Sequence, residues 1–149
     1  MVNITKYLDP KLIKFLDKDT RDNVIKSLVS LLKNEGKIDE ESHLFDAIVE
    51  REKIVTTGIG MGVAIPHAKL QDYDDFFIAV GILSEGADWD ALDGNPVRLV
   101  FLIGGPDDKQ TEYLQILSSL TLALKDPERR KKMLTAESPE QVVKLFKEL

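Results

Sequence analysis

Cysteine is absent from this 149-residue chain, which excludes disulfides, thiolate nucleophiles and cysteine-ligated metals. Histidine is nearly absent, with His43 and His67 the two present. No apolar run approaches the ~20 residues of a membrane-spanning helix. The opening segment, MVNITKYLDPKLIKF, lacks the long apolar centre of a secretory signal. These absences point to a cytoplasmic protein without direct membrane insertion, reaching a membrane only through a partner. Internal repeats, low-complexity tracts and linkers rich in Gly, Ser or Pro are missing too. So is any surplus of positive charge: the net charge is −6, which argues against nucleic acid as a partner and favours proteins with basic faces.

What remains is the balance of a soluble globular protein, 43% hydrophobic and 31% charged, and a length that fits one domain over residues 1–149. Residues 11–16 suit either a short strand or the end of a helical turn. From Thr20 the spacing turns helical: Val24, Ile25, Leu28, Leu31 and Leu32 share a face, Thr20 or Asp19 offers a cap, and Asn34 or Gly36 an end. Residues 39–52 predict a second helix, capped by Asp39 or Ser42. Strand character follows at 63–66, 75–83 and 97–103, the last two almost continuously apolar and so expected to be buried on both faces. Residues 109–125 predict a helix with Leu114, Leu117, Leu120 and Leu124 inward. Two helices, at 127–134 and 138–149, start with proline after the caps Asp126 and Ser138. The sum is an α/β fold: a three-layer α/β/α sandwich with a small mixed sheet flanked by helices on both faces.

The chemistry concentrates at residues 51–69, REKIVTTGIGMGVAIPHAK. A lone histidine at a strand end more often just bonds a loop. Three neighbours argue for more at His67. Pro66 stiffens the backbone that presents it. Gly58, Gly60 and Gly62 permit a loop whose N–H groups converge on an anion. Arg51, at the expected end of the second helix, carries the planar charged fork that grips phosphate. An exposed imidazole titrates near ~6.5 and is largely neutral at pH 7, as a nucleophile requires. GIGMG fits neither the dinucleotide fingerprint nor a nucleotide-hydrolase phosphate loop; its plainer role is a tight, close-packed turn. Ile59 and Met61, if exposed beside His67, would form a docking surface. His43 is expected at the surface, Trp89 as a core or loop anchor, and the Arg129–Lys132 run as a solvated helix face.

Arg51-Glu52-Lys53, Thr57-Gly58-Ile59-Gly60 and Ala64-Ile65-Pro66-His67 together resemble the IIA domain of the phosphoenolpyruvate-dependent phosphotransferase system, of the fructose/mannitol and nitrogen-regulatory type. The resemblance continues through residues 88–102 and the helix after them. It implies that His67 accepts a phosphoryl group from an HPr-type phosphocarrier and passes it to a IIB domain, or keeps it as a regulatory mark for a target protein. It implies further that Arg51 steadies that group, that Thr57 and residues 58–62 line the site, and that neither metal nor cofactor is needed. Members of the family commonly carry a second histidine near residue 113; here Tyr113 stands in that place. A hydroxyl donates a hydrogen bond but brings no imidazolium charge, so a non-catalytic interaction module of the same fold is the alternative. The free-standing length is expected of a separate component rather than of a domain cut from a permease, with a lean toward the regulatory branch.

Overall fold

The structure, a computed structural model, describes residues 3–17 and 19–147. Two single 3-10 turns, Ile4–Tyr7 and Pro10–Leu12, lead into β1 (Ile13–Leu16), α1 (Arg21–Asn34) and α2 (Glu41–Ile54). Then come three short strands, β2 (Gly58–Gly60), β3 (Val63–Ala64) and β4 (His67–Lys69). Two long strands follow, β5 (Phe77–Ala87) and β6 (Val97–Gly105), and the helices α3 (Gln110–Leu124), α4 (Pro127–Leu134) and α5 (Pro139–Lys147). Glu148 and Leu149, the expected end of the last helix, lie outside the described residues.

The strands form one mixed sheet in the order β1-β5-β6-β3-β2, with β4 also paired to β6. β1 runs parallel to β5, β5 antiparallel to β6, and both β3 and β4 parallel to β6. The period of two along β5 divides the core. Ile78, Val80 and Ile82 face one cluster with α3, α4 and α5; Phe77, Ala79 and Leu83 face the other, with α1 and α2. This is the expected three-layer sandwich, and the continuous apolar strands are what two covered faces require. Each fully buried side chain such as Leu28 or Phe101 contributes about 1.5–3 kcal/mol relative to exposure.

Local caps set several boundaries. Thr20 Oγ1 accepts from the Asn23 N–H at 3.3 Å and starts α1. The caps at Asp126 and Ser138 also form, accepting from the N–H of Glu128 (3.0 Å) and Gln141 (3.3 Å). α2 starts without a side-chain cap, so neither Asp39 nor Ser42 plays the expected part. It runs to Ile54, which keeps Arg51 and Lys53 in its last turn, where the helix dipole favours cations. The strand expected at 63–66 is divided. Ile65 donates its N–H to the Thr57 carbonyl (3.0 Å), Pro66 has none to give, and the ladder to β6 resumes at His67, opposite Ile103.

Two further expectations need correction. Leu114 is 52% exposed, and the inward face of α3 is Tyr113, Ile116, Leu120, Ala123 and Leu124. α3 carries leucines nearly all round, so their spacing fits more than one face. Arg129 and Arg130 are not a solvated face. They fold back to donate to the carbonyls of Ala123 (2.8 Å) and Leu124 (2.7 Å), satisfying the open end of α3.

Candidate functional site

α2 ends and β4 begins at the same place, and this brings Arg51 and His67 together. The Arg51 Nε–H donates to His67 Nε2 at 2.8 Å. Because an arginine nitrogen only donates, Nε2 must hold a lone pair. The proton of the neutral ring therefore sits on Nδ1, which lies 2.9 Å from the Ile65 carbonyl and donates to it. Partial burial pulls the His67 pKa below its ordinary 6.5; the Ile65 carbonyl opposes this, while the charges of Arg51 and Lys69 add to it and that of Glu52 resists. The result is a neutral imidazole at pH 7 with a defined tautomer and one free-electron-pair nitrogen facing a guanidinium.

β4 also sorts its side chains. Ala68 packs into the cluster under α1 and α2, so His67 and Lys69 share the opposite face, toward α3. There Tyr113, 6% exposed, lies with its ring centroid 5.8 Å from that of His67. Burial raises the Tyr113 pKa, with Arg51 partly opposing, so its hydroxyl keeps its proton. Lys69 Nζ sits 4.5 Å above the Tyr113 ring and bonds Gln110 Oε1. Tyr7 pins the start of α3 from the far side, its hydroxyl donating to Glu112 at 2.6 Å.

Beneath Arg51, Glu52 is buried and accepts from both the N–H (3.1 Å) and the hydroxyl of Thr57 and from Trp89 Nε1–H (3.3 Å). Trp89 thus anchors its loop as expected, and its carbonyl accepts from the Thr56 hydroxyl (2.7 Å). The three glycines shape a hairpin. Gly58 passes so close to Ala91 that a Cβ would lie 2.8 Å from that methyl group. Gly60 closes β2, and Gly62, with φ +73°, turns the chain into β3. The N–H groups of Gly58 and Met61 are taken by Thr56 Oγ1 and Asp93 Oδ2. The hairpin therefore offers the site the side chains of Ile59 and Met61.

Two clefts flank the Arg51–His67 pair, and both residues line each. One, of about 430 Å³, includes Thr57, Ile59, Met61 and Leu117; the other, of about 480 Å³, includes Lys69, Gln110 and Tyr113. Of their lining, Ile54, Val55 and Met61 are exposed, and the exposed Leu114 and Leu122 line an adjoining cleft with Leu117. A larger cleft of about 640 Å³ lies elsewhere, among Asp39, His43, Asp72 and Asp75, and touches neither Arg51 nor His67. His43 is a surface residue paired with Asp72 at 3.1 Å. Among the described residues no cluster of three or more His, Asp and Glu side chains could hold a metal ion. No helix among them is long and apolar enough to cross a membrane.

Glu52 and Lys69 are the parts of this arrangement to which the motifs assigned no role. The alternation of a strand, which puts residue 69 on the face of residue 67, is the signal that could have found Lys69.

Fold and site together define a three-layer α/β domain built around a histidine–arginine centre. The chain belongs to the EIIA 2 family of the phosphoenolpyruvate-dependent sugar phosphotransferase system, which residues 6–149 match. It is thereby a phosphotransfer component. It is 37% identical over 130 residues to the fructose-specific EIIA component of Haloferax volcanii, covering 87% of this chain and 84% of that protein. It is 36% identical over 146 residues to the fructose-specific EIIABC component of Bacillus subtilis, covering 97% of this chain but spanning 23% of that protein. The nitrogen regulatory protein IIA-Ntr of Neisseria meningitidis superposes with a TM-score of 0.87 at 29% identity, covering 96% and 98% of the two chains. The mannitol IIA of Escherichia coli, solved in complex with phosphorylated IIB, shares the fold at TM-score 0.78 and 22% identity, covering 95% of this chain and 98% of its own.

Proposed function

We propose that the chain is one EIIA type-2 domain over residues 1–149, a cytoplasmic phosphocarrier that takes a phosphoryl group on His67 Nε2 from an HPr-type protein. The observation that carries this is the pair of hydrogen bonds on the imidazole. Ile65 holds the Nδ1 proton, and Arg51 faces the Nε2 lone pair at 2.8 Å.

The chemistry follows from that geometry. In the transfer the Nε2 lone pair attacks phosphorus as the donor's P–N bond breaks, and the donor nitrogen recovers its bonding pair. The Nδ1 proton stays in place, and its bond to the Ile65 carbonyl strengthens as the ring gains positive character. Arg51 yields the lone pair and turns its remaining donors to the phosphoryl oxygens, where a planar fork binds best. Tyr113 offers a neutral O–H from the other side. Positioning and charge stabilisation supply most of the rate in phosphoryl transfer. Thr57 is held by Glu52 at the wall of the cleft, and Gly58, Gly60 and Gly62 act through the hairpin they shape.

The apolar rim of Ile54, Val55 and Met61 suits the docking of a carrier, and then of a IIB domain or a regulatory target. The relatives include both fructose components and nitrogen regulatory proteins, so onward transfer and signalling both have support. In the signalling case the phosphoryl group changes partner choice by adding about −1.5 to −2 charges beside the rim. The test mixes the protein with phosphoenolpyruvate, the general phosphotransfer enzyme and HPr, and reads intact mass. One acid-labile phosphoryl group is expected. No gain with verified active donors would leave the non-catalytic interaction module as the better account.

A further inference from the structure

Among the described residues, Lys69 is the one cation besides Arg51 that lines a cleft together with both His67 and Tyr113; Lys125 lines the other cleft with His67 but without Tyr113. Lys69 is half-buried and stands two residues along β4 from His67, on the same face, about 7 Å away at the backbone. Its ammonium group lies 4.5 Å above the Tyr113 ring, whose centroid is in turn 5.8 Å from that of His67. Its one carboxamide partner, Gln110, is exposed. That bond joins a charged donor to a neutral acceptor at the surface and is readily exchanged for a bond to an anion.

We infer that Lys69 is a second phosphoryl-binding cation of this site, supplying from β4 the positive charge that Tyr113 cannot. The inference rests on the phosphocarrier reading of His67. Before transfer the ammonium group is parked on Gln110 and the Tyr113 ring. When the P–Nε2 bond forms and the donor's P–N bond breaks, three phosphoryl oxygens enter the space between His67 and Tyr113. Lys69, with four rotatable bonds, swings from Gln110 to one of them. Arg51 and Lys69 then grip the group from two elements, the end of α2 and β4. A lysine serves here as a mobile point charge where a fixed fork is already present.

The experiment compares wild type, Lys69→Gln and Lys69→Arg with phosphoenolpyruvate, the general enzyme and HPr, following phosphorylation by quenched-flow intact mass. Circular dichroism checks that each variant folds. Lys69→Gln is expected to slow uptake about tenfold, less than loss of a buried oxyanion donor, because the cleft is open to water. Lys69→Arg should restore most of the rate. A separate readout needs no donor: removing the Lys69 charge should raise the His67 pKa in an NMR titration. Uptake by Lys69→Gln within twofold of wild type, or a loss that Lys69→Arg does not rescue, overturns this inference and leaves His67 as acceptor intact. A wild type that takes up no phosphoryl group defeats the phosphocarrier reading and the inference with it.

Discussion

Arg51 donates its Nε–H to the one nitrogen of His67 that has a lone pair, at 2.8 Å. The guanidinium therefore does two things at once in the resting protein. It keeps the ring from being protonated at Nε2, and it stands where a phosphoryl group on that nitrogen would need a counter-charge. Arg51→Ala should raise the His67 pKa, because a neighbouring cation that disfavours imidazolium is gone. It should also slow phosphoryl uptake roughly 10²-fold, the usual cost of losing a charged donor to the transferring group. A histidine-selective NMR titration and a quenched-mass time course measure the two effects. An unchanged rate alongside a raised pKa would confine Arg51 to the resting state.

The lowered His67 pKa has a consequence for stability. Between the folded value and the unfolded value near ~6.5, the unfolded chain binds more protons, so stability rises with pH across that window. The contribution is complete above the unfolded value and is lost as pH falls through the folded one. Urea unfolding of wild type and His67→Gln at several pH values should show wild type losing stability relative to the variant below about pH 6.5. Parallel curves would mean that burial and Arg51 leave the ring's affinity for protons unaltered.

Glu52 sits immediately after Arg51 but points into the protein, where Thr57 and Trp89 donate to it. Glu52→Ala leaves the Thr57 N–H buried without its acceptor, while Trp89 Nε1–H keeps the Thr57 hydroxyl oxygen at 3.3 Å, and the loss is about 1–3 kcal/mol of stability. A fall in Tm of roughly 2–4 °C per kcal/mol is expected for a chain of this size. Fluorescence of the single tryptophan should report the loosened contact directly. Emission and Tm both matching wild type would remove Glu52 from the support of Arg51.

Tyr113 separates two accounts of the missing second histidine. If its hydroxyl meets the phosphoryl group, Tyr113→Phe should slow transfer roughly two- to tenfold, the worth of one neutral hydrogen bond. The phenyl ring keeps the packing against His67. A full wild-type rate in Tyr113→Phe would make the contact purely steric.

The exposed rim makes a different kind of prediction. Val55 is 64% exposed beside the cleft. Val55→Glu should raise the KM for the phosphorylated carrier several-fold, with about the same stability, since surface changes usually cost within ±0.5 kcal/mol. Equal KM values would move the docking surface elsewhere.

The layers and the centre were legible in the residues for physical reasons. Continuous apolar strands at 77–83 and 97–103 demand cover on both faces, and α1 and α2 on one side and α3 to α5 on the other provide it. Pro66 before His67, and Arg51 three residues before the end of α2, were enough to bring the pair into view. The face of α3 was legible in Leu120 and Leu124, which are buried with Tyr113 and Ile116, and in Leu117, which packs against the same cluster; Leu114 was misplaced, because leucine spacing alone does not mark the edge of the buried face. The role of the glycines was hidden. Their spacing admits an anion loop, but the approach of Gly58 to Ala91 and of Asp93 to Met61 makes a hairpin. Long-range partners such as Trp89 for Glu52, 37 residues apart, leave no local trace.

The most direct measurement is to phosphorylate 15N-histidine-labelled protein and locate the phosphorus by its coupling to ring nitrogen, with His67→Ala as control. The account predicts one acid-labile phosphoryl group on His67 Nε2 and none in the variant. Phosphorus on Nδ1, or uptake that survives His67→Ala, would contradict it.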